Sequence, residues 1–469
     1  MIGHDPQRTY KAAVIGAGSG GLTLAVGLAG FDHDVVLIEG DRVGGDCTNV
    51  GCIPSKALLH AAAAGETDPL GWVRARRDEL AEREEAEMEE HERIHLVRGW
   101  ARLTAAREPQ VVIVDGVDGP SEVRADHIIV CGGSKPVEIP VDGLSAERVL
   151  TNENVFDLTA VPDSIVLVGG GAIALEMATA FRDLGTRVHI VELEDRLIAT
   201  EDPLVSSTIN DALLARDVRV HTGTSIERFD EATRTAHLAD GTSIDDVDRV
   251  FISVGRKARI EGLDLDVAGV DTHRGGIVAD DWGRTSVDGI WAVGDVTGNT
   301  QTTHGASSIG RRAVRAIALP LPKVGDPRVL PNAVYSRPEI ASVGRSMREM
   351  EELPAAGRAR YVKHFRDIDR GFTDDVEFGF VAVDVERFTG KLLRAAIVGP
   401  AAAEMIGMFA MMIDHDIGLR KMFGSVQPYP AYAQIVGLLA DEFADDTYRN
   451  LPREFAAMVR GRIARRLRR

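Results

Sequence analysis

Two stretches of the sequence carry the same succession of an apolar run, a glycine-rich turn, a helical pattern and a second apolar run. In the first stretch, residues 11–39, the turn matches the pattern G-x-G-x-x-G at Gly16, Gly18 and Gly21. Glu39 ends the second apolar run. This succession is typical of a βαβ unit that binds a dinucleotide, because glycines let the backbone approach a pyrophosphate and the acid binds ribose hydroxyls.

The second stretch, residues 164–192, repeats the pattern with one substitution. Gly169, Gly171 and Ala174 match G-x-G-x-x-A, and Glu192 ends the following apolar run. Two such units predict that the chain binds two dinucleotides. Electron transfer between a flavin and a nicotinamide uses both cofactors in one protein, so the sequence predicts an oxidoreductase.

Length and charge narrow the class of protein further. The chain has 469 residues, which predicts about three domains. Its 54 basic and 72 acidic residues give a net charge of −18, which argues against a nucleic-acid partner because phosphates need a clustered basic surface. No apolar run reaches the ~18 residues of a membrane span. The polar N-terminal segment lacks the apolar core of a signal peptide, and we expect a cytoplasmic protein.

Two of the three cysteines lie close together in the sequence, at Cys47 and Cys52, whereas Cys131 is distant. Cytoplasmic thiols stay reduced unless a disulfide is catalytic or sensing. Two buried free thiols and half of a metal site are the alternatives. A zinc site needs further Cys or His ligands at close spacing, and none follows, so no metal site is predicted.

The residues after the cysteines predict a helix. Pro54 and an alanine-rich run place its start near Ile53, which puts Cys52 at the N-terminus, where the helix dipole favours a thiolate. Lys56 lies four positions later on the same face, and a cation there stabilises an anionic thiolate or a reduced flavin. Cys47 precedes the helix within bridging reach. We therefore expect a reversible disulfide that relays two electrons beside a cofactor.

At this point the sequence resembles a known family. GGDCTNVGCIPSK, which contains both cysteines, resembles the active-site signature of the class I pyridine nucleotide–disulfide oxidoreductases, such as dihydrolipoamide dehydrogenase, glutathione reductase and mercuric reductase. Further segments resemble this family in the same order: IIVCGGSKP (128–136), VFISVGRKA (250–258), IWAVGDV (290–296) and PNAVYSRPEIASVG (331–344). The resemblance implies an α/β fold with two Rossmann-like dinucleotide-binding domains and a C-terminal α+β dimerisation domain.

The resemblance also implies a role for individual residues. FAD would be bound by Gly16, Gly18, Gly21, Glu39, Lys56 and Asp295, and the nicotinamide cofactor by Gly169, Gly171, Ala174 and Glu192. Gly45, Gly133 and Gly255 are assigned to cofactor binding as well. Cys52 would face the flavin and Cys47 would exchange with the substrate. Glu176 would pair with Lys56 beside the flavin ring. NADH is expected rather than NADPH, since Glu192 would repel a 2′-phosphate.

The chain departs from the family near its C-terminus. The family's dimer places an HPxxxE segment across from the partner's cysteines. The segment that matches it best is QPYPAYAQ, residues 427–434, where Tyr429 replaces the catalytic His and Gln434 replaces the Glu that orients it. Mercuric reductases also have Tyr there, but this sequence lacks their C-terminal cysteine pair. Ile309 also replaces a usual Glu of the family.

Three functions are consistent with these features. The first is an NADH-linked flavoprotein that passes electrons through the Cys47–Cys52 disulfide to a small disulfide or dithiol acceptor. The second is a reductase of a metal ion or a quinone-like acceptor, which needs no imidazole base. The third is a redox sensor that binds FAD without turning over.

The sequence also predicts an organisation into domains. The FAD-binding domain is expected at 1–155 and 283–325, the nicotinamide domain at 156–282, the dimerisation domain at 326–445 and a basic tail at 446–469. The tail is predicted to be a surface helix that lies on the acidic body, with an anionic membrane surface as the alternative. Residues 65–95, which are rich in Glu and Arg, are interpreted as a solvated helical hairpin. A homodimer is expected.

Overall fold

A computed structural model describes residues 5–299, 301–319 and 328–467. The chain divides into two compact units. The first unit comprises residues 1–140, 150–161 and 254–326, and the second comprises 141–149, 162–253 and 327–469. The predicted boundaries of the three domains and the tail stay predictions, and the one at residues 325 and 326 lies outside the described residues.

The described elements alternate between strands and helices through most of the chain. The helices are α1 (Ser19–Ala29), α2 (Gly45–Asn49), α3 (Cys52–Ala64), α4 (Pro69–Glu90), α5 (Ala172–Asp183), α6 (Pro203–Ala215), α7 (Thr303–Ala318), α8 (Met347–Glu352), α9 (Asp369–Thr373), α10 (Ala402–Asp414), α11 (Leu419–Met422), α12 (Gln434–Arg449) and α13 (Leu451–Leu467). The first strands are β1 (Thr9–Ile15), β2 (Val35–Glu39), β3 (Ile94–Arg98), β4 (Trp100–Leu103), β5 (Gln110–Gly116), β6 (Gly119–Val130), β7 (Ser134–Pro136) and β8 (Val149–Leu150). The middle strands are β9 (Ser164–Val168), β10 (Arg187–Glu192), β11 (Arg219–Thr222), β12 (Ile226–Asp230), β13 (Thr235–Leu238), β14 (Ser243–Ile244), β15 (Arg249–Ile252) and β16 (Arg256–Ala258). The last strands are β17 (Thr272–His273), β18 (Gly276–Ile277), β19 (Ile290–Ala292), β20 (Asn332–Val334), β21 (Glu339–Gly344), β22 (Arg358–His364), β23 (Phe380–Glu386) and β24 (Leu392–Gly399).

The first unit is built on a sheet in the order β3-β2-β1-β6-β5-β4, with β19 paired to β6. Strands β3, β2, β1, β6 and β19 run parallel, and β5 and β4 extend the sheet as an antiparallel meander. The central strands are apolar on both faces because both faces are covered, as parallel sheets require. The carboxyl ends of β1, β6 and β19 therefore meet at one edge, where ligands bind in such sheets.

Among the described residues, the second unit contains three separate sheets, of which the smallest is the antiparallel sheet β12-β13-β14. Strands β11-β10-β9-β15 are parallel and carry the second glycine turn after β9. Strands β20-β21-β24-β23-β22 form an antiparallel sheet, whose apolar core with α10 and α12 includes Phe365, Phe409 and Phe443. The two Rossmann-like sheets and the C-terminal α+β sheet confirm the predicted fold class.

One element differs from its prediction. Within residues 65–95, Pro69–Glu90 form the single helix α4 and not a hairpin. Asp68 caps its N-terminus by accepting from the N–H of Gly71, and Pro69 occupies the first turn, where a missing N–H costs nothing. Among the described residues, no helix is long and apolar enough to cross a membrane.

The basic tail forms α13, which packs on its own unit. Arg387 donates two hydrogen bonds of 2.8 Å to the buried carboxylate of Glu454, and Arg462 donates two to Glu386. Gly461 lies so close to Gly357 that a Cβ on Gly461 would be 2.3 Å from the other glycine's Cα. The helix is thus attached by paired charges and a tight backbone contact.

Truncation after Asn450 should leave nicotinamide-dependent flavin reduction unchanged, because α13 contributes none of the predicted cofactor or cysteine contacts. The thermal midpoint should fall, since Arg387 loses its buried partner, a change that costs about 1–3 kcal/mol. Stopped-flow reduction and calorimetry measure the two effects. Arg453→Gln, at an exposed position of the same helix, is the control. A truncated chain that folds but is no longer reduced would contradict this assignment.

Candidate active site

The first glycine turn, between β1 and α1, leaves room that only glycine can provide. Gly16 has φ +101°, and a Cβ there would lie 2.5 Å from the carbonyl oxygen of Cys131. A Cβ on Gly21 would lie 1.9 Å from the carbonyl oxygen of Gly16. Gly18 begins α1, and no described side chain caps that helix. Its first N–H groups are therefore left for an anion, which agrees with binding of a dinucleotide pyrophosphate.

Glu39, at the end of β2, faces this turn. Its carboxylate accepts a 2.6 Å hydrogen bond from the N–H of Ala17 and a 2.8 Å bond from that of Asp41. Burial raises its pKa, while these backbone hydrogen bonds and the charge of Arg98 oppose the shift. The acid is thus held at the edge of the turn, where the ribose of a bound dinucleotide would lie.

The second unit repeats this arrangement. Gly169 has φ +106°, and Gly171 begins α5 without a side-chain cap among the described residues. A Cβ on Gly171 would meet nothing within 4 Å, so the space in front of this helix is open. Glu192 accepts hydrogen bonds from the N–H groups of Gly170 and Glu194. The two glycine turns thus have the same local geometry, and Ala174 is buried in α5 as the third small residue of the second motif. Their binding of dinucleotides stays a prediction.

The cysteines lie where the sequence predicts, in the first unit. Helix α3 begins at Cys52, and Cys47 lies in the short helix α2. Both are thiols in this structure, and the hydrogen bond with Cys52, together with burial, raises the pKa of Cys47. The raised pKa favours a protonated Cys47, which agrees with a dithiol that holds a single thiolate on the other sulfur.

A residue that the sequence did not single out contacts the cysteines. Thr303 is the first residue of α7, and its Oγ1 lies 3.2 Å from Cys52 Sγ. Its hydrogen bond also opposes the raised pKa of Cys47. The hydroxyl of Ser19, in α1, donates to the carbonyl oxygen of Thr303 at 3.2 Å. The start of α7 is thereby fixed next to the start of α1, and the Thr303 hydroxyl can donate a hydrogen bond to a thiolate.

Asp295, the acid of the GD motif, belongs to a charged cluster. It accepts a 2.6 Å hydrogen bond from the Ser134 hydroxyl, and Arg256 Nε lies 4.0 Å from its carboxylate. Arg256 also donates to Ser134 and forms an ion pair with Asp46. Burial raises the pKa of Asp295, while Ser134 and Arg256 oppose that shift. Arg256, Asp46 and Ser134 were not predicted. The only signal was that all three lie in segments that resemble the family's motifs.

The remaining predicted residues are placed by the same elements. Gly45 begins α2, and a Cβ there would lie 2.7 Å from the Cα of Gly18, so the cysteine-bearing segment rests on the first glycine turn. Gly133 and Gly255 precede the paired strands β7 and β16 and have positive φ. Lys56 lies in α3, one turn after Cys52. Their roles with a cofactor stay predictions.

Glu176 and Tyr429 lie in the second unit. Glu176 is buried in α5 and accepts a 3.1 Å hydrogen bond from the N–H of Tyr335, and its pairing with Lys56 stays a prediction. Tyr429 is 69% exposed, and its hydroxyl donates a 2.7 Å hydrogen bond to Asp369. That bond and the charge of Asp369 raise the pKa of Tyr429. The Oε1 of Gln434 is buried without a hydrogen-bond partner among the described residues.

Two dinucleotide sites, a close pair of cysteines at a helix start and a separate α+β domain define a flavoprotein disulfide reductase. The chain belongs to the pyridine nucleotide-disulphide oxidoreductase family, whose model matches residues 10–310, and the dimerisation domain of that family matches residues 330–439. It is therefore an NAD(P)H-dependent flavoprotein disulfide oxidoreductase, which binds FAD and carries the family's dimerisation domain.

Individual relatives agree with this family. The chain is 30% identical to dihydrolipoyl dehydrogenase 3 of Haloarcula marismortui over 93% of this chain and 97% of the relative. It is 31% identical to dihydrolipoyl dehydrogenase of Chlorobaculum parvum over 91% and 95% of the two chains. Among solved structures, the Cu(II) complex of the HOCl-induced flavoprotein disulfide reductase RclA from Escherichia coli aligns with a TM-score of 0.85 and 25% identity, covering 93% of this chain and 100% of the other.

Replacement of Cys52 by Ser should abolish the long-wavelength absorbance that we expect from a thiolate beside oxidised flavin after reduction by NADH. The reason is that Cys52 starts α3 and lies beside Thr303, so its sulfur carries the charge. Cys47→Ser should retain the band and serves as the matched control. Absorbance spectra recorded during anaerobic titration with NADH distinguish the two variants. A band that persists in Cys52→Ser would reverse the assignment of the two sulfurs.

Proposed function

We propose that this protein is an NADH-dependent reductase in which the Cys47–Cys52 disulfide accepts two electrons and passes them to a small-molecule acceptor, with a homodimer as the working form in the cytoplasm. Bound FAD would supply hydride acceptance from the nicotinamide and delivery of the electron pair to the disulfide. The residues that would hold it are those of the first glycine turn with Glu39 and Asp295. The close placement of the two thiols and Thr303 supports this proposal most directly.

A disulfide or dithiol compound is the first candidate for the acceptor. The named relatives are dihydrolipoyl dehydrogenases, and a dithiol exchanges readily with a disulfide. The balanced reaction would consume NADH, one proton and a disulfide, and yield NAD⁺ and two thiols. In it, Cys47 would attack the acceptor sulfur while Cys52 closes the enzyme disulfide.

A metal ion or a quinone-like compound is the second candidate, and Tyr429 favours it. Its hydroxyl is bonded to Asp369, which raises its pKa above the usual value near ~10, so it cannot take a proton at neutral pH. Gln434 carries no charge that would orient an imidazolium. The Escherichia coli relative was solved with Cu(II). Soft metal ions and quinones need no proton transfer at the interchange sulfur.

The nicotinamide preference follows from the charges around Glu192. The neighbouring side chains Glu194 and Asp195 are acidic, and like charges repel a 2′-phosphate. Arg196 donates to the Ser206 hydroxyl and to two carbonyl oxygens of its own loop. Arg187 donates to the carbonyl oxygen of Asp246. Arg187 and Arg196, the two arginines near the predicted site of a 2′-phosphate, thus both donate their hydrogen bonds to protein groups.

We therefore expect kcat/KM to be at least about tenfold higher with NADH than with NADPH, which corresponds to about 1.4 kcal/mol of differential binding. Steady-state rates with either nucleotide and one acceptor measure the ratio. Glu192→Gln keeps the size of the side chain and removes its charge. This variant should bring the kcat/KM values for NADH and NADPH closer together. Equal values for the wild-type enzyme would show that Glu192 does not select the nucleotide.

The acceptor half-reaction should depend on Tyr429 and the nicotinamide half-reaction should not. A positioned base contributes about 10²–10⁴-fold to such proton transfers. Without such a base, turnover with lipoamide, dihydrolipoamide or glutathione disulfide should be slower than flavin reduction by about 10²–10⁴-fold. Cu(II) or a soluble quinone should reoxidise the enzyme faster than these disulfide and dithiol compounds do. Tyr429→Phe should leave flavin reduction unchanged and alter only reoxidation.

Stopped-flow measurement of both half-reactions, for the wild type and Tyr429→Phe, tests this expectation. Tyr432→Phe is the matched control, because Tyr432 makes the same kind of bond to Asp374 in the same segment. Lipoamide turnover as fast as flavin reduction would show that another residue supplies the base. An enzyme that NADH reduces but no acceptor reoxidises would favour a sensor.

A further inference from the structure

Arg256 lies between two carboxylates in the first unit. Its guanidinium pairs with Asp46 and lies 4.0 Å from the carboxylate of Asp295. It also donates 2.8 Å and 3.0 Å hydrogen bonds to the hydroxyl and the carbonyl oxygen of Ser134. The Arg256 side chain is 15% exposed and that of Asp46 is 38% exposed, so water screens the guanidinium more weakly than the Asp46 carboxylate.

This cluster adjoins the cysteines through the backbone. Asp46 immediately precedes Cys47 in α2, and it is the only acidic residue in the first turn of that short helix. The same helix is fixed from inside, because the Asn49 side chain donates to the carbonyl oxygens of Val43 and Gly45 at 2.9 Å. A charge at Asp46 or Arg256 therefore lies at a fixed position relative to the Cys47 sulfur.

We propose that Asp46 and Arg256 form a positioning pair that sets the reduction potential of the Cys47–Cys52 disulfide. Arg256 holds the carboxylate of Asp46 and balances its charge and that of Asp295. Without Arg256, two uncompensated carboxylates would oppose any negative charge that develops on the sulfurs. Neither residue touches the reacting atoms, so each acts through the cysteine segment.

The charge balance of disulfide reduction gives the direction in which each variant should shift the thiol–disulfide equilibrium. Reduction consumes two electrons and one proton, breaks the S–S bond and yields one thiol and one thiolate, so the site gains one negative charge. Removal of a nearby positive charge should therefore favour the disulfide, and removal of a nearby negative charge should favour the dithiol. If the pair had a purely structural role, removal of either charge would shift the thiol–disulfide equilibrium in the same direction.

Charge-removing variants of the pair make this sign measurable. Asp46→Asn keeps an oxygen that accepts the Arg256 hydrogen bond, and Arg256→Gln removes the cation. We expect about a tenfold shift of the thiol–disulfide equilibrium toward the disulfide for Arg256→Gln, which equals about 30 mV, and a shift of similar size toward the dithiol for Asp46→Asn. The double variant should return to within about threefold of the wild type, because the two charges cancel.

The experiment uses the FAD-loaded enzyme in mixtures of oxidised and reduced dithiothreitol at pH 7. Rapid alkylation and peptide mass spectrometry then give the reduced fraction of Cys47 and Cys52 without reliance on turnover. Arg256→Lys keeps the charge and should match the wild type. Arg394→Gln is the control for loss of a buried arginine, because Arg394 pairs with Glu201 in the second unit and the equilibrium should not change.

The pH dependence of alkylation in the reduced enzyme gives a second measurement. The midpoint should rise in Arg256→Gln and fall in Asp46→Asn, since a cation favours the thiolate and an anion opposes it. Two other groups also act on the Cys47 sulfur: Glu84 through its charge and Thr303 through its hydroxyl. Lys56 follows Cys52 by one turn of α3, and His304 follows Thr303 in α7. All four are unchanged in these variants. The proposal would be overturned if Arg256→Gln and Asp46→Asn shifted the thiol–disulfide equilibrium in the same direction. It would also be overturned if neither variant shifted that equilibrium more than Arg394→Gln does.

Discussion

The contact between two backbone segments, the first glycine turn and the cysteine-bearing segment, determines the geometry of the rest of the site. A Cβ on Gly45 would lie 2.7 Å from the Cα of Gly18, and the N–H of Gly44 donates to the carbonyl oxygen of Ala17. The loop that binds a pyrophosphate and the loop that carries Cys47 are thus one packed unit. A side chain at Gly45 would therefore push the cysteine-bearing segment away from the first glycine turn.

The start of α7 extends this constraint to the thiol. Helices α1 and α7 pack closely, since a Cβ on Gly310 would lie 3.2 Å from the Thr23 side chain. Ser19 then bonds to the carbonyl oxygen of Thr303 and sets that residue beside Cys52. The N-termini of α3 and α7 therefore both lie next to the Cys52 sulfur. The positive dipole end of each helix favours the thiolate form of Cys52.

The fold and the cofactor turns could be predicted because their signals are local. A glycine at a required positive φ, a strand that ends in an acid and a cysteine before a proline-led helix lie within a few dozen residues of one another. The contacts that tune the site join residues far apart: Arg256 and Asp46 are 210 positions apart, and Thr303 and Cys52 are 251 apart. No periodicity marks such pairs. The hairpin predicted in place of α4 was wrong, because a stretch rich in Glu and Arg and poor in apolar residues has no hydrophobic periodicity that distinguishes one helix from two.

The two acids at the strand ends have a further consequence for binding. Glu39 and Glu192 each fasten one carboxylate oxygen to an N–H within their own glycine turn and the other to the N–H two residues on. Their side chains thus lose rotational freedom when the protein folds, before any nucleotide arrives. In the predicted nucleotide sites, an incoming ribose would meet acceptors that are already held in place, so the entropic cost of ordering those side chains would not weaken nucleotide affinity.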